Sequence, residues 1–263
     1  MMLINGMASK SVAANDRGLQ YGDGVFRTLL VRAGTPLHWQ RHYRKLAADC
    51  AALGLTCPDQ SILHRELLTL AEPQPDGVAK IIVTRGVSGR GYAYANVRPT
   101  RIVSLSSLLE YPPEYASSGV RVCVCDLRLG AQPRLAGVKH LNRLENVLAR
   151  SEWSDPRIAE GLLLDAEGNV IEGVMSNVFI VEDGTWATPE LSRCGVAGVQ
   201  RERLLERVAC RVEPIPLERL LRADEVLLVN SLIGVWPVRE IGERHWQPGP
   251  ASVVARRWLA EEQ

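Results

Sequence analysis

Lysine is rare in this sequence, and one lysine stands where it could do chemistry. The chain has 31 basic residues but only four lysines: Lys10, Lys45, Lys80 and Lys139. Lys139 lies in the stretch GVKHLNRLENVL, ahead of leucines and a valine that recur at helical spacing. The pattern predicts a helix over residues 140–153 with one buried apolar face. An amine at the start of that helix could point into a cleft.

Two interpretations of Lys139 stay open at this point. A lysine amine attacks a carbonyl only when it is neutral, and its ordinary pKa of about 10.4 opposes this near pH 7. Burial or a neighbouring positive charge would lower that pKa, and a cleft supplies both. The alternative is a solvated lysine at the start of a surface helix. The spacing of residues does not choose between them.

Cysteine and histidine give no pattern of a metal or redox site. The six cysteines are scattered without the CxxC spacing of a zinc or redox centre, which favours reduced thiols in packed surroundings. The five histidines form no HExxH or comparable ligand set. We therefore predict no metal site.

Length and composition limit the class of protein. A chain of 263 residues with 46% hydrophobic content can build one large core or two modest ones. Its 31 basic and 30 acidic residues nearly cancel, so the basic surface that nucleic-acid binding requires is not evident. No apolar run approaches the roughly 20 residues that span a bilayer. We expect a cytoplasmic protein that binds neither nucleic acid nor membrane.

The first half of the chain predicts an α+β arrangement. Asn5-Gly6 and Gly34 mark tight turns between strand-like runs, which is typical of hairpins. Apolar residues from Trp39 to Leu53 recur at helical spacing before Gly54, and a second amphipathic helix follows Asp59. VAKIIVTRG and TRIVSLSSL then predict buried strands.

The second half continues the α+β pattern after a change in composition. EYPPEYASSG, residues 110–119, suits an interdomain linker, so we predict domains at 1–109 and 120–263. Turns at Gly168 and Gly184 predict two antiparallel hairpins. The remaining predictions are a strand in VRVCVCDL, a helix over 199–209, a strand in EVLLVN, a loop in SLIGVWPV and a last helix over 250–261.

Five ordered motifs identify a family resemblance along nearly the whole chain. They are NDRGLQYGDGVF, KHLNRLENVLAR, EGVMSNVFIV, GVAGVQRERLL and ADEVLLVNSLIGVWPV. Together they resemble the fold-type IV pyridoxal-phosphate enzymes. The resemblance implies a small N-terminal α+β domain and a larger C-terminal pseudo-barrel domain that carries the cofactor lysine. It also implies a homodimer with its active site between the domains and near the partner subunit.

The resemblance assigns the cofactor residues. Lys139 would form a Schiff base with pyridoxal 5'-phosphate, and Glu172 would pair with its pyridine nitrogen, which keeps the ring protonated and electron-accepting. The phosphate would be held at two loops, by Gly198, Val199, Gln200, Ser231 and Leu232. The family usually has an arginine on the first long helix where this chain has Lys45 after Arg44. Either cation could meet the phosphate, although lysine lacks the bidentate fork of arginine.

Within the family, KHLNRLE together with TRGVSGRGY is most similar to the aminodeoxychorismate lyases. These enzymes of folate biosynthesis convert 4-amino-4-deoxychorismate to 4-aminobenzoate and pyruvate. Lys139 would then also act as the base. A dianionic substrate calls for positive charge, and the candidate substrate residues are Arg27, Arg85, Arg90 and Tyr92, with Arg98 nearby. For each arginine, a solvated loop charge is the competing interpretation.

Two other functions stay open. A branched-chain or D-amino-acid aminotransferase on the same fold would use Lys139 and Glu172 in the same way but return the amino group to a keto acid. A non-catalytic ligand-binding protein that retained the fold would lack the bound cofactor altogether.

Overall fold

The computed structural model describes residues 1–95 and 97–261, and the chain divides into two compact units. Unit 1 comprises residues 1–110 and 138–142, and unit 2 takes the remainder of the described chain. We predicted Lys139 within the domain spanning 120–263. Its segment, 138–142, instead belongs to unit 1, because it pairs with a strand of that unit.

Unit 1 is built on a six-stranded antiparallel sheet with the strand order β2-β1-β6-β5-β3-β4. Its strands are Met2–Ile4 (β1), Met7–Ala8 (β2), Gly24–Arg32 (β3), Thr35–Pro36 (β4), Gly77–Thr84 (β5) and Thr100–Ser106 (β6). Its helices are Arg17–Tyr21 (α1), Trp39–Ala52 (α2) and Gln60–Ala71 (α3). The short helix α1 had no counterpart in the sequence predictions.

Local turn chemistry accounts for both hairpins of unit 1. The pairs Asn5-Gly6 and Ala33-Gly34 have positive φ at both positions, 52° and 86° and then 46° and 77°, as a type I′ turn requires. The Asp59 side chain accepts a hydrogen bond from Ser61 N at 2.8 Å and so caps α3. These predicted hairpins and helices are confirmed.

The core of unit 1 lies between the sheet and the two longer helices. Val25, Leu29 and Val31 alternate along β3 and are fully buried with Leu46 of α2 and Leu63 of α3. Phe26 and Thr28 point to the opposite face and are only half-buried. The sheet therefore has one face covered by helices and one that α2 and α3 leave open.

Unit 2 contains a nine-stranded mixed sheet with the order β12-β11-β10-β13-β14-β7-β8-β9, and β15 pairs with β14. Its pairs β11/β12, β14/β7 and β7/β8 are parallel. The strands are Val120–Arg128 (β7), Ile158–Leu164 (β8), Val170–Gly173 (β9), Asn177–Glu182 (β10), Thr185–Pro189 (β11), Cys210–Glu213 (β12), Glu225–Asn230 (β13), Gly234–Ile241 (β14) and Arg244–His245 (β15). The helices are Glu114–Ser117 (α4), Leu144–Arg150 (α5), Val199–Leu205 (α6), Leu217–Arg222 (α7) and Pro250–Ala260 (α8).

The predicted α+β class and the hairpins at Gly168 and Gly184 are confirmed. β9 is the last strand in the order, yet residues 174–176 join it directly to β10 near the other end. The sheet therefore curls back toward itself, as the implied pseudo-barrel requires.

Two local predictions for unit 2 were wrong. The helix predicted over 140–153 is only Leu144–Arg150, and its leucines and valine are 51–68% exposed instead of buried. The loop predicted for SLIGVWPV is confined to residues 231–233, because Gly234–Ile241 pairs with β13 and β7 as a strand. In both cases pairing with distant strands overrides the local pattern.

The segment predicted as a linker packs onto unit 2. Tyr111 and Tyr115 present their rings edge-on to Trp236, with centroid distances of 4.9 and 5.1 Å. Such edge-to-face contacts stabilise packed aromatic clusters. Residues 111–118 therefore form part of the structure of unit 2.

Candidate active site

Lys139 lies in an extended segment beside β3. Phe26 N donates a hydrogen bond to Lys139 O at 2.9 Å, and Leu141 N donates to Gly24 O at 2.9 Å. Val25 and His140 form an antiparallel bridge between the two segments. The prediction that Lys139 starts a helix was therefore wrong, since its backbone is used for sheet pairing.

The buried carboxylate of Asp49 holds this segment from the α2 side. Its Oδ2 accepts a hydrogen bond from Lys139 N at 3.1 Å and is paired with Arg27 Nη2. Arg27 also donates to Lys45 O at 3.4 Å. Arg27 and Asp49 are both 3% exposed, so each charge depends on the other for compensation. Arg27 thus supports the lysine segment, and we do not carry it forward as a substrate residue.

The Lys139 side chain is half-buried and lies against an aromatic ring. Its Nζ is 4.8 Å from the centroid of the Phe26 ring, within the range of a cation–π contact. Lys80 Nζ is 5.0 Å from the same centroid. Because Phe26 points away from the helix-covered core, the amine lies on the open face of the unit 1 sheet.

The two cations of α2 differ in environment. Arg44 is exposed, whereas Lys45 is half-buried and lies one turn before Asp49. Lys45 is therefore on the side of α2 that faces the lysine segment. Which cation meets a phosphate stays a prediction, and this geometry favours Lys45.

In unit 2, Glu172 is a buried carboxylate on β9. It is 4% exposed, and its Oε2 accepts a hydrogen bond from Val196 N at 2.8 Å. Burial lowers the pKa of the Arg143 guanidinium, while the carboxylates of Glu172 and Glu145 oppose that change. Glu172 is thus held by the 196–198 loop within the electrostatic reach of a cation.

The 196–198 loop immediately precedes α6, and the side chain of Asn177 on β10 holds it at both ends. Asn177 Nδ2 donates to Val196 O at 2.8 Å, and its Oδ1 accepts from Gly198 N at 3.0 Å. A Cβ on residue 198 would lie 2.4 Å from that oxygen, so only glycine fits. Among the described residues no side chain caps α6. Val199 and Gln200 therefore begin a helix whose first amides suit an anion.

Ser231 and Leu232 lie in the turn between β13 and β14. Asn230 Oδ1 accepts hydrogen bonds from Leu232 N at 2.8 Å and Ile233 N at 2.9 Å. These bonds order the turn, but they also occupy the backbone amide of Leu232, one of the two residues that we predicted to hold the phosphate. Both residues stay predictions, with Ser231 the better placed of the two.

The guanidinium group of Arg85 is buried and bonded to other protein groups instead of facing solvent. It is 6% exposed, and it donates to Asp23 Oδ2 at 2.7 Å, Gly54 O at 2.9 Å and Leu53 O at 2.8 Å. Burial raises the pKa of Asp23, but hydrogen bonds from Arg85 and Arg17 outweigh this and leave it below its ordinary value. These contacts explain Arg85 without a ligand, so we do not carry it forward as a substrate residue.

Arg90 and Tyr92 are both exposed, and Tyr92 is 85% exposed. Buried Arg17 anchors their loop by donating to Gly91 O at 2.8 Å and Tyr92 O at 3.1 Å. An open cavity of about 650 Å³ adjoins the loop, lined by Asn15, Gln20, Tyr21, Ser88, Gly89 and Arg90. Arg90 is thus the predicted substrate arginine with an exposed guanidinium beside a cavity.

A further buried carboxyl lies on β8 in unit 2. Glu160 is 1% exposed and accepts hydrogen bonds from Ser176 Oγ at 2.8 Å, Gly161 N at 3.0 Å and Met175 N at 3.2 Å. Burial raises the pKa of Glu160 to about 7, although these hydrogen bonds act in the opposite direction.

Sequence reasoning missed the residues that support the predicted ones, namely Asp49, Asn177, Asn230 and Glu160. A signal existed for Asp49, because it shares the apolar face of α2 with Leu46 and Cys50, where a carboxylate needs a partner. The two asparagines stand inside the quoted motifs EGVMSNVFIV and ADEVLLVNSLIGVWPV. Glu160 had no comparable signal, since a single carboxyl in a strand pattern does not reveal its burial.

Within residues 1–95 and 97–261, no group of three or more His, Cys, Asp or Glu side chains could hold a metal ion. None of the helices in those ranges has the length and apolar character needed to span a membrane.

Comparison with known proteins places these elements in a family. Residues 24–241 match the amino-transferase class IV family. This chain belongs to that family. The match covers both units and includes Lys139, Glu172 and the 196–198 loop.

Two lyases are similar to this class IV chain over nearly its whole length. The crystal structure of 4-amino-4-deoxychorismate lyase from Pseudomonas aeruginosa is 46% identical, with a TM-score of 0.95, and the alignment covers 100% of this chain and 99% of that one. Aminodeoxychorismate lyase of Vibrio harveyi is 38% identical over 250 residues, which are 92% of this chain and 91% of the relative.

A class IV structure with the cofactor bound shows the same fold. It is a hypothetical aminotransferase from Mycobacterium tuberculosis in a PLP-bound form, 22% identical with a TM-score of 0.84. The alignment covers 99% of this chain and 97% of that one. At this identity the likeness concerns the fold alone.

Asp49→Asn tests the support of the lysine segment. The change leaves the volume intact but deprives buried Arg27 of its counter-charge, which should lower the free energy of unfolding by about 3 kcal/mol. Asp155→Asn is the matched control, because Asp155 pairs with Arg157 at an exposed site, where solvent screens the charges and a clearly smaller loss is expected. Chemical unfolding measures both. Equal losses would contradict the structural role of Asp49.

Glu160 should make stability fall as pH rises. Its pKa in the folded protein, about 7, exceeds its ordinary value of 4.5, so the folded protein binds more protons than the unfolded chain between these pH values. The free energy of unfolding of the native protein minus that of Glu160→Gln should decrease by roughly 3 kcal/mol from about pH 4.5 to pH 7.5. Unfolding curves across this range measure it, and a constant difference would disprove it.

Proposed function

We propose that this class IV chain is an aminodeoxychorismate lyase that uses pyridoxal 5'-phosphate to convert 4-amino-4-deoxychorismate to 4-aminobenzoate and pyruvate. The observation that carries the proposal is the likeness to the Pseudomonas aeruginosa lyase, 46% identical over 100% of this chain. The Vibrio harveyi lyase supports it at 38% identity over nearly full length.

The residues present fit the proposed cofactor. Lys139 offers an amine on the open face of the unit 1 sheet, and Glu172 offers a buried carboxylate suited to a protonated pyridine nitrogen. The backbone amides that follow Gly198, at the uncapped start of α6, suit a phosphate. We assign the cofactor to Lys139 and Glu172 and its phosphate to Gly198, Val199, Gln200 and Ser231, with Lys45 as the nearby cation.

The proposed function gives each of these protein groups a defined role. When bound, pyridoxal phosphate supplies an electron sink for a carbanion. Lys139 would hold the cofactor, and its Nζ, when it is not bonded to the cofactor, would take the proton from the substrate ring carbon that bears nitrogen. The Asp49 hydrogen bond would keep the lysine backbone in place in both roles.

The proposed reaction balances without another reactant. Loss of the proton at the ring carbon and cleavage of the carbon–oxygen bond to the enolpyruvyl group release enolpyruvate, which takes up a proton and becomes pyruvate. The ring becomes aromatic as 4-aminobenzoate, and this stabilises the products. Lys139 would need only to take a proton and release it, so the protein is unchanged at the end.

Arg90 and Tyr92 are the substrate residues that we carry forward. Arg90 is an exposed guanidinium at a cavity, and a planar guanidinium pairs well with a carboxylate. Buried Arg17 fixes the backbone of their loop through two carbonyl groups. Substrate binding there would therefore use a preformed loop.

An aminotransferase is the competing function, because the family is named for that activity. It would use Lys139 and Glu172 in the same way. The two functions differ in their products: a lyase releases pyruvate without an amino acceptor, whereas an aminotransferase requires a keto acid.

The decisive experiment measures pyruvate release by the purified protein from 4-amino-4-deoxychorismate in the absence of a keto acid. Lys139→Ala should lower the rate by about a thousandfold or more, because the cofactor bond and the base disappear together. Borohydride reduction followed by peptide mapping should find the cofactor on Lys139.

The matched control is Lys80→Ala, because Lys80 lies over the same Phe26 ring. Its rate should stay within roughly fivefold of the native rate. If the protein exchanges amino groups with a keto acid quickly and releases no pyruvate, it is an aminotransferase and the lyase proposal is wrong. A protein that binds no cofactor would exclude both enzymes.

We further propose a cytoplasmic homodimer. The free thiols of all six cysteines suit a reducing compartment. Three apolar side chains of α5, Leu144, Val147 and Leu148, are more than half exposed, which suits burial against a second copy. Light scattering of the holoenzyme should give twice the 29.0 kDa chain mass. A monomer at enzyme concentrations that retain full activity would contradict the dimer.

A further inference from the structure

One tight turn carries the unit 2 part of the proposed site. Gly173 N donates to Ser176 O at 2.7 Å, and this bond closes the turn between β9 and β10, which we call the 173–176 turn. Glu172 immediately precedes the turn, and Asn177 immediately follows it. A displacement of the turn therefore moves both residues.

The carboxylate of Glu160 lies directly against this turn. Its Oε2 accepts hydrogen bonds from Ser176 Oγ at 2.8 Å and Met175 N at 3.2 Å, and its Oε1 accepts from Gly161 N at 3.0 Å. Val174 N donates to Gly161 O at 2.9 Å, so the β8 backbone adds a further contact. The turn is thus fastened to β8 at three consecutive residues.

The fit between the carboxylate and the turn leaves no space for another atom. A Cβ on residue 173 would lie 2.3 Å from Ser176 Oγ and 2.9 Å from Glu160 Oε2. Both distances are shorter than ordinary contacts between these atoms, so glycine is required beside Glu172. A change at Glu160 cannot be absorbed by empty space and must be transmitted to the turn.

The turn also connects to both loops that we assign to the phosphate. Asn230 Nδ2 donates to Met175 O at 2.9 Å, and the same side chain orders the 231–233 turn through its Oδ1. On the other side, Asn177 clamps the 196–198 loop. The 173–176 turn is therefore the common support of Glu172, the 196–198 loop and the 231–233 turn.

We propose that Glu160 is a positioning residue, whose carboxylate holds the 173–176 turn and thereby sets the geometry of the cofactor-binding groups of unit 2. The inference rests on the proposed function, because it concerns the same site. Glu160 itself touches neither cofactor nor substrate in this proposal. It acts through Met175, Ser176 and the two asparagines that the turn orients.

Unit 2 contains a natural control for a purely structural role. Glu225 is also buried and accepts three backbone hydrogen bonds, from Gly249 N at 3.1 Å, Ala251 N at 2.9 Å and Ser252 N at 3.1 Å. Its partners are at the start of α8 and include no residue that we assign to the site. Glu225→Gln therefore makes the same chemical change with the same number of affected donors, away from the 173–176 turn.

The test compares Glu160→Gln and Glu225→Gln at about pH 8, where the Glu160 carboxyl is mostly ionised. Both variants lose one acceptor and should unfold at lower denaturant concentration. Only Glu160→Gln should raise the dissociation constant of the apoprotein for pyridoxal phosphate, by about tenfold or more, and lower kcat with it. Fluorescence titration measures the first quantity, which does not depend on turnover.

Ser176→Ala is the second variant, because it removes one donor to Glu160 and keeps the backbone. It should also raise the dissociation constant for pyridoxal phosphate, by a smaller factor than Glu160→Gln does. If Glu160→Gln does not fold, Ser176→Ala is the variant that tests the inference. Equal cofactor affinity in the native protein, Glu160→Gln and Ser176→Ala would overturn the inference. So would an equal loss of affinity in Glu225→Gln. A native protein that binds no pyridoxal phosphate would instead overturn the proposed function, and this inference with it.

Discussion

The carboxylate of Asp49 is the group on which the position of Lys139, the proposed cofactor lysine, depends. Lys139 reaches unit 1 in a short segment that leaves unit 2 after Gly137 and returns before Arg143. Backbone bonds to β3 align this segment, and Asp49 fixes it from α2. The same oxygen compensates the buried charge of Arg27. One carboxylate thus joins β3, α2 and the lysine segment. The side chain of Lys139 lies over the ring of Phe26.

Unit 2 uses buried carboxylates in a different way. Glu172 accepts a hydrogen bond from the loop amide of Val196, and Glu160 accepts from the amides of Gly161 and Met175 and the hydroxyl of Ser176. A carboxylate satisfied by amides keeps its negative charge available to a cationic ligand. The amide side chains of Asn177 and Asn230 then connect the turns to one another. These polar contacts order the turns around Glu172, which suits the polar cofactor that we propose to bind there.

Arginine shows how far residue type alone can mislead. Four arginines were plausible partners for a dianionic substrate, and for each of them a solvated loop charge was the competing interpretation. In the structure Arg27 and Arg85 are buried and bound to Asp49 and Asp23, whereas Arg90 is exposed. The buried pairs support the elements that carry the site, whereas Arg98 is also exposed and only Arg90 adjoins the cavity described above. The buried arginines are paired with carboxylates because burying a charge without a partner costs free energy.

The sequence by itself determined the elements whose causes are local. Turn pairs such as Asn5-Gly6 and the capping residue Asp59 act within a few residues, so both hairpins and the two longer helices of unit 1 were predicted correctly. The five motifs, which no single element explains, were enough to identify the family. Tertiary structure alone decided that Lys139 is extended, that the apolar face of α5 is exposed, and that Glu160 lies under the 173–176 turn. The position of Lys139 depends on Asp49, 90 residues away along the chain, and that of Glu160 on a turn 15 residues away; helical periodicity carries no record of such contacts.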